Sequence, residues 1–405
     1  MATDATWLVR RYYLYRATAT VGFITPIFTI FLLRDLSFAE LGALSALYSA
    51  LVVLGEVPTG YVGDSLGRRN SLVLAAVFKA ASLVGFVVAD TFAAFAVLYV
   101  LWALGLTFDS GALSAWLYET LEERLDPADF TRVRGRGESV NGWVGAAAMI
   151  GGSLLYVVDP RYPFLLATGW VLLGLPVLLS LPEPGTTDDR QTPVREIAGL
   201  ARGALLRPPL RSFVLFTALA FGTVSAAQLY VQPIAVDVLS GLVPAGASPV
   251  AGVPPAASLG VLYAAFTAVA ALASDRAATV ESWLGRRRAI AVLSVATAVF
   301  MVLPLAVPLL AFPAFFVMRG ADPLLRPITQ AVLNDSLGSA GRATLLSAVS
   351  MVYAFVRVPL ALGGGVLADA TAPLAALAAF GGVFLVVGGL LAVVGSPLAA
   401  TADGE

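Results

Sequence analysis

Apolar residues in this chain come as long runs. Twelve stretches stand out: residues 12–33, 38–62, 70–89, 92–120, 138–158, 163–182, 212–235, 258–274, 289–306, 308–334, 343–368 and 373–395. About 20 apolar residues in helical form cross the hydrocarbon layer of a bilayer. The runs are too long for barrel strands and do not alternate apolar with polar. The pattern predicts an all-α integral membrane fold with twelve transmembrane helices. The ninth and tenth are separated only by Ala306, Val307 and Pro308.

Polar residues collect in the breaks, and their charge sets an orientation. With a cytoplasmic N-terminus, 18 Arg fall on the cytoplasmic side, from Arg10 and Arg11 to Arg342, and only Arg34 and Arg161 fall outside. Basic loops stay in the cytoplasm. A multi-pass protein of the plasma membrane with both termini cytoplasmic is therefore expected. The longest cytoplasmic link runs from Glu183 to Arg211. From Pro193 it can form an amphipathic interfacial helix, with Ile197, Leu200, Leu205 and Leu206 towards lipid and arginines towards headgroups. It divides the chain into an N-terminal six-helix bundle, residues 1–182, a linker, 183–211, and a C-terminal six-helix bundle, 212–405.

Composition narrows the chemistry. Of 405 residues 59% are hydrophobic and only 13% charged, against about 25% charged in soluble domains. The net charge of −1 speaks against nucleic acid as a partner. With neither Cys nor His in the chain, a thiolate or imidazole metal site, a Ser–His pair and an imidazole proton shuttle are all excluded. No cofactor is expected, and the absence of a nucleotide-binding P-loop speaks against direct ATP drive.

The two halves resemble each other. Asp64 precedes Gly67-Arg68-Arg69, and Asp275 precedes Gly285-Arg286-Arg287-Arg288. Asp109 in span four matches Asp322 in span ten, and Gly151-Gly152 matches Gly363-Gly364, at offsets of 211, 213 and 212. A nearly constant offset predicts a duplicated six-helix unit, giving two pseudo-symmetric bundles. The stretch GYVGDSLGRRN, Gly60 to Asn70, joins spans two and three. Gly63 to Arg69 is expected to turn tightly and bring the helices close. Asp64 can cap a helix N-terminus.

This stretch resembles the loop signature Gly-x-x-x-Asp-x-x-Gly-Arg-Arg of the major facilitator superfamily, matched by Gly60, Asp64, Gly67, Arg68 and Arg69. Glu56-Val57-Pro58-Thr59-Gly60 is similar to the EIPTG stretch of a prokaryotic subgroup of drug exporters. YYLYR at Tyr12–Arg16 and RATLLS at Arg342–Ser347 resemble that subgroup as well. The resemblance implies a secondary transporter, a cytoplasmic gate in which Asp64 meets the backbone near Ala343, and a cavity lined by spans one, four, seven and ten. Three features depart from it, the first being eight residues, Ala277 to Leu284, that interrupt the second copy of the turn. Tyr99 to Gly111 contains no Arg where the family has a proton-coupling arginine, and Ala148 stands where its antiporter signature has Pro.

Ionisable residues inside spans are costly and mark function. Here they are Arg16, Glu56, Lys79, Asp109, Arg319, Asp322, Arg326 and Arg357. Counting ~1.5 Å per residue from the cytoplasmic ends pairs Arg16 with Glu56 and Lys79 with Asp109 by depth. Asp322 can satisfy Arg319 or Arg326, its i−3 and i+4 neighbours. Static bracing or snorkelling accounts for such residues too. By the resemblance, Asp109, Gln228, Gln232, Arg319, Asp322 and Arg326 face substrate, with Arg357 near the midplane beside them. The surplus of Arg points to a small molecule with an anionic or strongly hydrogen-bond-accepting group. A coupling proton or cation is expected, and a monomer in the bilayer. Export is favoured over uptake by the resemblance alone. The other classes to weigh are an uptake permease, a membrane sensor, and an intramembrane enzyme built on an Asp dyad.

Overall fold

The computed structural model of the chain describes residues 2–124, 126–185, 208–242, 254–335 and 342–395. All regular structure among them is helical. Eleven helical segments are long and apolar enough to cross a membrane, by length and composition alone. They coincide with eleven of the twelve predicted spans. The exception is the first. It is built from α1 (Ala2–Thr18) and α2 (Phe28–Leu32), joined by tight turns rather than by continuous helix.

Why α1 stops without fraying is legible in its last turn. Helix ends leave carbonyls without partners. Here Asn141 Nδ2 donates to the Arg16 carbonyl at 2.9 Å, Trp170 Nε1 to the Ala17 carbonyl at 3.0 Å, and Thr18 Oγ1 to the Tyr15 carbonyl at 2.9 Å. The opened backbone then lies on a strip of small residues. A Cβ on Gly22 would stand 2.5 Å from the Gly145 carbonyl oxygen, and Gly152 is covered by the Phe23 backbone.

The other helices follow in order: α3 (Phe38–Leu66), α4 (Arg68–Val88), α5 (Phe92–Asp109), α6 (Ala112–Arg124), α7 (Phe130–Val158), α8 (Tyr162–Leu179), α9 (Pro208–Ala227), α10 (Val231–Gly241), α11 (Pro255–Leu284), α12 (Arg286–Val302), α13 (Ala311–Asp335), α14 (Arg342–Ala370), α15 (Pro373–Val383) and α16 (Gly389–Gly395). Span four is α5 plus α6, broken at Ser110 and Gly111, where Gly111 has φ 78°. Span seven is α9 plus α10, joined by a 3₁₀ turn over Gln228–Tyr230.

The helices form two compact units. Unit 1 comprises Met1–Leu36, Ala50–Asp189 and Val243–Ala264; unit 2 comprises Ser37–Ser49, Arg190–Leu242 and Ala265–Glu405. Within unit 1, α4 packs on α5 and α8, and α1 packs on α7 and α8. Within unit 2, α12 packs on α13 and α15, and α9 packs on α14 and α15. The four pairings of unit 1 recur in the same order in unit 2, as duplication predicts. Residues 186–207, which include the predicted interfacial helix, lie outside the described residues.

The predicted seven-residue turn, Gly63 to Arg69, is a correction. α3 continues to Leu66 and α4 starts at Arg68, so Gly67 alone reverses the chain. Its φ of 91° is the left-handed region that glycine enters without steric cost. Unit 2 repeats the device at Gly285, φ 74°, between Leu284 and Arg286. Glycine for glycine, the two turns are therefore further apart in sequence than Asp64 and Asp275. Asp275 lies well inside α11 and is not the counterpart of Asp64. Gly60 faces open space, so close helix approach does not explain it.

Candidate functional site

The arginine-rich turn is a hub of unit 1. Arg68 Nε donates to Glu119 Oε1 at 3.2 Å, and the Arg69 amide donates to Glu183 Oε1 at 3.1 Å. Arg11, Arg69 and Trp116 donate in turn to the carbonyls of Ser180, Leu181 and Pro182, at 3.3, 3.2 and 2.8 Å. Three consecutive carbonyls beyond α8 are thereby held by three different helices. Unit 2 has a simpler version, in which Arg286 is bonded to Glu281 at 2.6 Å and to Asp335. The side chains of Asp64 and Glu56 lie outside the described residues.

Glu56 is the partner that depth predicts for Arg16. Arg16 donates to Glu138 Oε2 at 2.6 Å, and the Glu56 side chain is outside the described residues. Helix length brings Glu138 there: α7 begins at Phe130, a full two turns before the predicted span, and carries Glu138 to the level of Arg16. The Lys79–Asp109 pair forms as depth matching requires, with Nζ 2.6 Å from Oδ2. Gly105 leaves the groove that receives Lys79, since a Cβ there would meet the lysine Cγ at 2.8 Å. Asp109 is the last residue of α5, at the break, and its Oδ1 is buried without a hydrogen-bond partner. It therefore sits in a braced ion pair of unit 1.

Unit 2 gathers an open polar–aromatic cluster. Arg326 Nε donates to Asp322 Oδ2 at 2.7 Å, within one helical turn of α13. The Arg326 guanidinium lies over the Phe221 ring, 5.4 Å from its centre. Phe221 meets Tyr353 at 5.4 Å between centroids, and the Tyr353 hydroxyl donates to Thr217 Oγ1 at 2.9 Å. Three helices, α9, α13 and α14, thus contribute to one polar face. The Arg326 side chain is 61% exposed and that of Asp322 33%, so neither is enclosed by protein. Pro323 and Pro327 interrupt the hydrogen-bond ladder of α13 beside them.

The remaining predicted site residues have other surroundings. Arg319 stacks over Phe266 at 5.4 Å. Arg357 Nη2 donates to Ser45 Oγ at 3.2 Å. Gln228 belongs to the 3₁₀ turn of span seven, and Gln232 is buried at 4% exposure in α10. Phe221, Tyr353 and Thr217 do not stand out in the sequence. Apolar rings in an apolar helix carry no signal until their neighbours are known. Among the described residues no acidic cluster suited to a metal ion is present.

Paired helical repeats, with helix breaks in spans one, four and seven and charged side chains in the membrane interior, define the architecture of a membrane transporter. The chain belongs to the Major Facilitator Superfamily, whose family model matches residues 17–359. Among solved structures it is similar to a point mutant of the nucleoside transporter NupG, at 13% identity and TM-score 0.82, covering 95% of this chain and 99% of that one. It is also similar to a point mutant of the peptide transporter POT in complex with alafosfalin, at 16% identity and TM-score 0.68, covering 99% and 96%. A sequence comparison with curated proteins gives no match.

Proposed function

We propose that the protein is a secondary transporter that moves a small polar solute by alternating access, with the solute held at the Asp322–Arg326 cluster of unit 2. The observation that carries this reading is the cluster itself: an acceptor, a donor and two aromatic rings from three helices, not enclosed by protein, beside a proline-interrupted helix. Asp322 offers a carboxylate to a donor on the solute, and Arg326 offers guanidinium N–H groups to an acceptor. The Phe221 ring offers a flat apolar wall. A solute with a ring or short chain and both kinds of polar group fits these three features. Nucleosides and small peptides, the solutes named for the two similar structures, are of this kind.

The coupling ion in this reading is a proton or cation, and Lys79–Asp109 is its place in unit 1. The gate at the arginine-rich end is assigned to Asp64, Gly67, Arg68 and Arg69, on the cytoplasmic side. Export is the direction favoured by the EIPTG-type resemblance.

The test is thermal stabilisation of the purified full-length protein by a panel of nucleosides, dipeptides and simple organic anions. A ligand that binds only the folded state raises the melting temperature. At least one nucleoside or dipeptide is expected to do so, and Arg326→Ala to remove the effect while Arg319→Ala retains it. A hit that stabilises Arg326→Ala as well as the unmodified protein would take the site away from this cluster.

A further inference from the structure

One face of α14 carries a row of residues that the solute site does not use. Arg357, Ala361, Gly365 and Asp369 are spaced by four, so they stack along one side of the helix. Within unit 2 each meets the first three turns of α3. Arg357 donates to Ser45 Oγ at 3.2 Å. The Ala361 carbonyl oxygen fills the place where a Cβ on Gly42 would stand, and the Phe38 carbonyl oxygen does the same to Gly365. At the end of the row, Asp369 Oδ1 accepts from the Phe38 amide at 2.9 Å and Oδ2 from the Ala39 amide at 2.8 Å.

The start of α3 does not need Asp369 in order to form. Ser37 and Glu40 already make a reciprocal cap, with the Ser37 amide 2.8 Å from Glu40 Oε2 and the Glu40 amide 3.2 Å from Ser37 Oγ. The Phe38 and Ala39 amides are the two that this cap leaves over, and they point along the positive end of the helix dipole. A carboxylate on another helix takes both. The Phe38 ring stacks on Tyr230 at 5.8 Å and so adds an aromatic contact to the same seam.

Among the described residues, unit 1 has the corresponding seam without the latch. There Gly260 of α11 lies on the Met149 carbonyl oxygen of α7, where a Cβ would stand 2.6 Å away. The acid nearest in position to Asp369, Asp159, accepts from the Arg161 amide of its own loop at 2.8 Å.

We propose that Asp369 is a latch that closes the transporter at the end opposite the arginine-rich turns, by holding the start of α3 against the end of α14, and that it lets go when the solute site opens to that side. The proposal rests on the alternating-access reading above. It complements the gate assigned to Asp64, which stands two residues before the end of α3 as Asp369 stands one residue before the end of α14.

The test uses Ser45→Cys, a near-isosteric change at a side chain 3% exposed in the seam, in a protein with no other cysteine. In the full-length protein in nanodiscs, its reaction with a water-soluble maleimide is slow while the latch holds. Asp369→Ala is expected to speed labelling about tenfold, the scale of a charge-assisted hydrogen bond lost. Asp369→Asn, which keeps one acceptor oxygen, gives a smaller rise and carries the test if the alanine variant does not fold. Hydrogen exchange over Ser37–Ser49 should rise in parallel, with α4 unchanged. Unaltered labelling in both variants overturns the latch, as does an increase in exchange spread evenly over the protein. No solute enters these measurements. A seam that loosens as expected in a protein that moves no solute through liposomes would leave the latch standing and remove the transporter reading.

Discussion

The two units repeat their helix pairings but not their polar furnishing. In unit 1 the ion pair Lys79–Asp109 is mostly enclosed, at 17% and 27% exposure; in unit 2 Arg326–Asp322 is open, at 61% and 33%. Unit 1 anchors its Arg-rich turn to Glu119, Glu183 and the Leu181 carbonyl, whereas unit 2 uses two carboxylates. The glycine seams reverse this order: the one in unit 2 ends in a carboxylate clamp, and the one in unit 1 in glycine packing. One scaffold used twice has thus become a braced unit and an open one. Shape is what the repeat shares, and charge placement is what sets the roles.

The comparison can be broken most sharply at the enclosed pair. Lys79→Met leaves Asp109 buried without its partner and is expected to cost about 3 kcal/mol, read as a large fall in melting temperature of the detergent-solubilised protein. Adding Asp109→Leu to it should restore most of the loss. A cost below about 1 kcal/mol for the single change would mean that unit 1 is as open as unit 2. Next in size are Gly42→Val and Gly260→Val, one in each seam, each expected to cost about 1–3 kcal/mol by forcing backbones apart. Similar losses would confirm that the seams share their packing, and a loss at only one would end the claim of repeated design. The smallest effect falls on the open pair. Asp322→Asn should change stability by less than about 1 kcal/mol while removing stabilisation by any solute, and a large thermal loss would show that the pair is structural.

The spans were legible because length and hydrophobicity together leave few alternatives in a bilayer, and Lys79–Asp109 because depth alone pairs them. The break in span one was not, since Thr20, Gly22 and Pro26 interrupt a helix without interrupting hydropathy. Arg16–Glu138 was hidden for a related reason: α7 begins well before the apolar run does, so Glu138 reads as a boundary residue. Asp369 was hidden by a single residue, because the predicted span ends at 368 and α14 ends at Ala370. The solute cluster was half visible. Asp322 and Arg326 share one helix face and announce each other at i and i+4, but Phe221, Tyr353 and Thr217 reach them only through helix packing.

The interruption in span one has a mechanical consequence. Its stray carbonyls are tied down by Asn141, Trp170 and Thr18, and the opened segment is held by turn bonds from the Ile24, Thr25 and Ile27 amides to the Val21, Gly22 and Ile24 carbonyls, so the break is a fixed jog rather than a frayed end. The Phe23 backbone stands where a side chain on Gly152 would be, so a larger residue at Gly152 is expected to displace the whole jog.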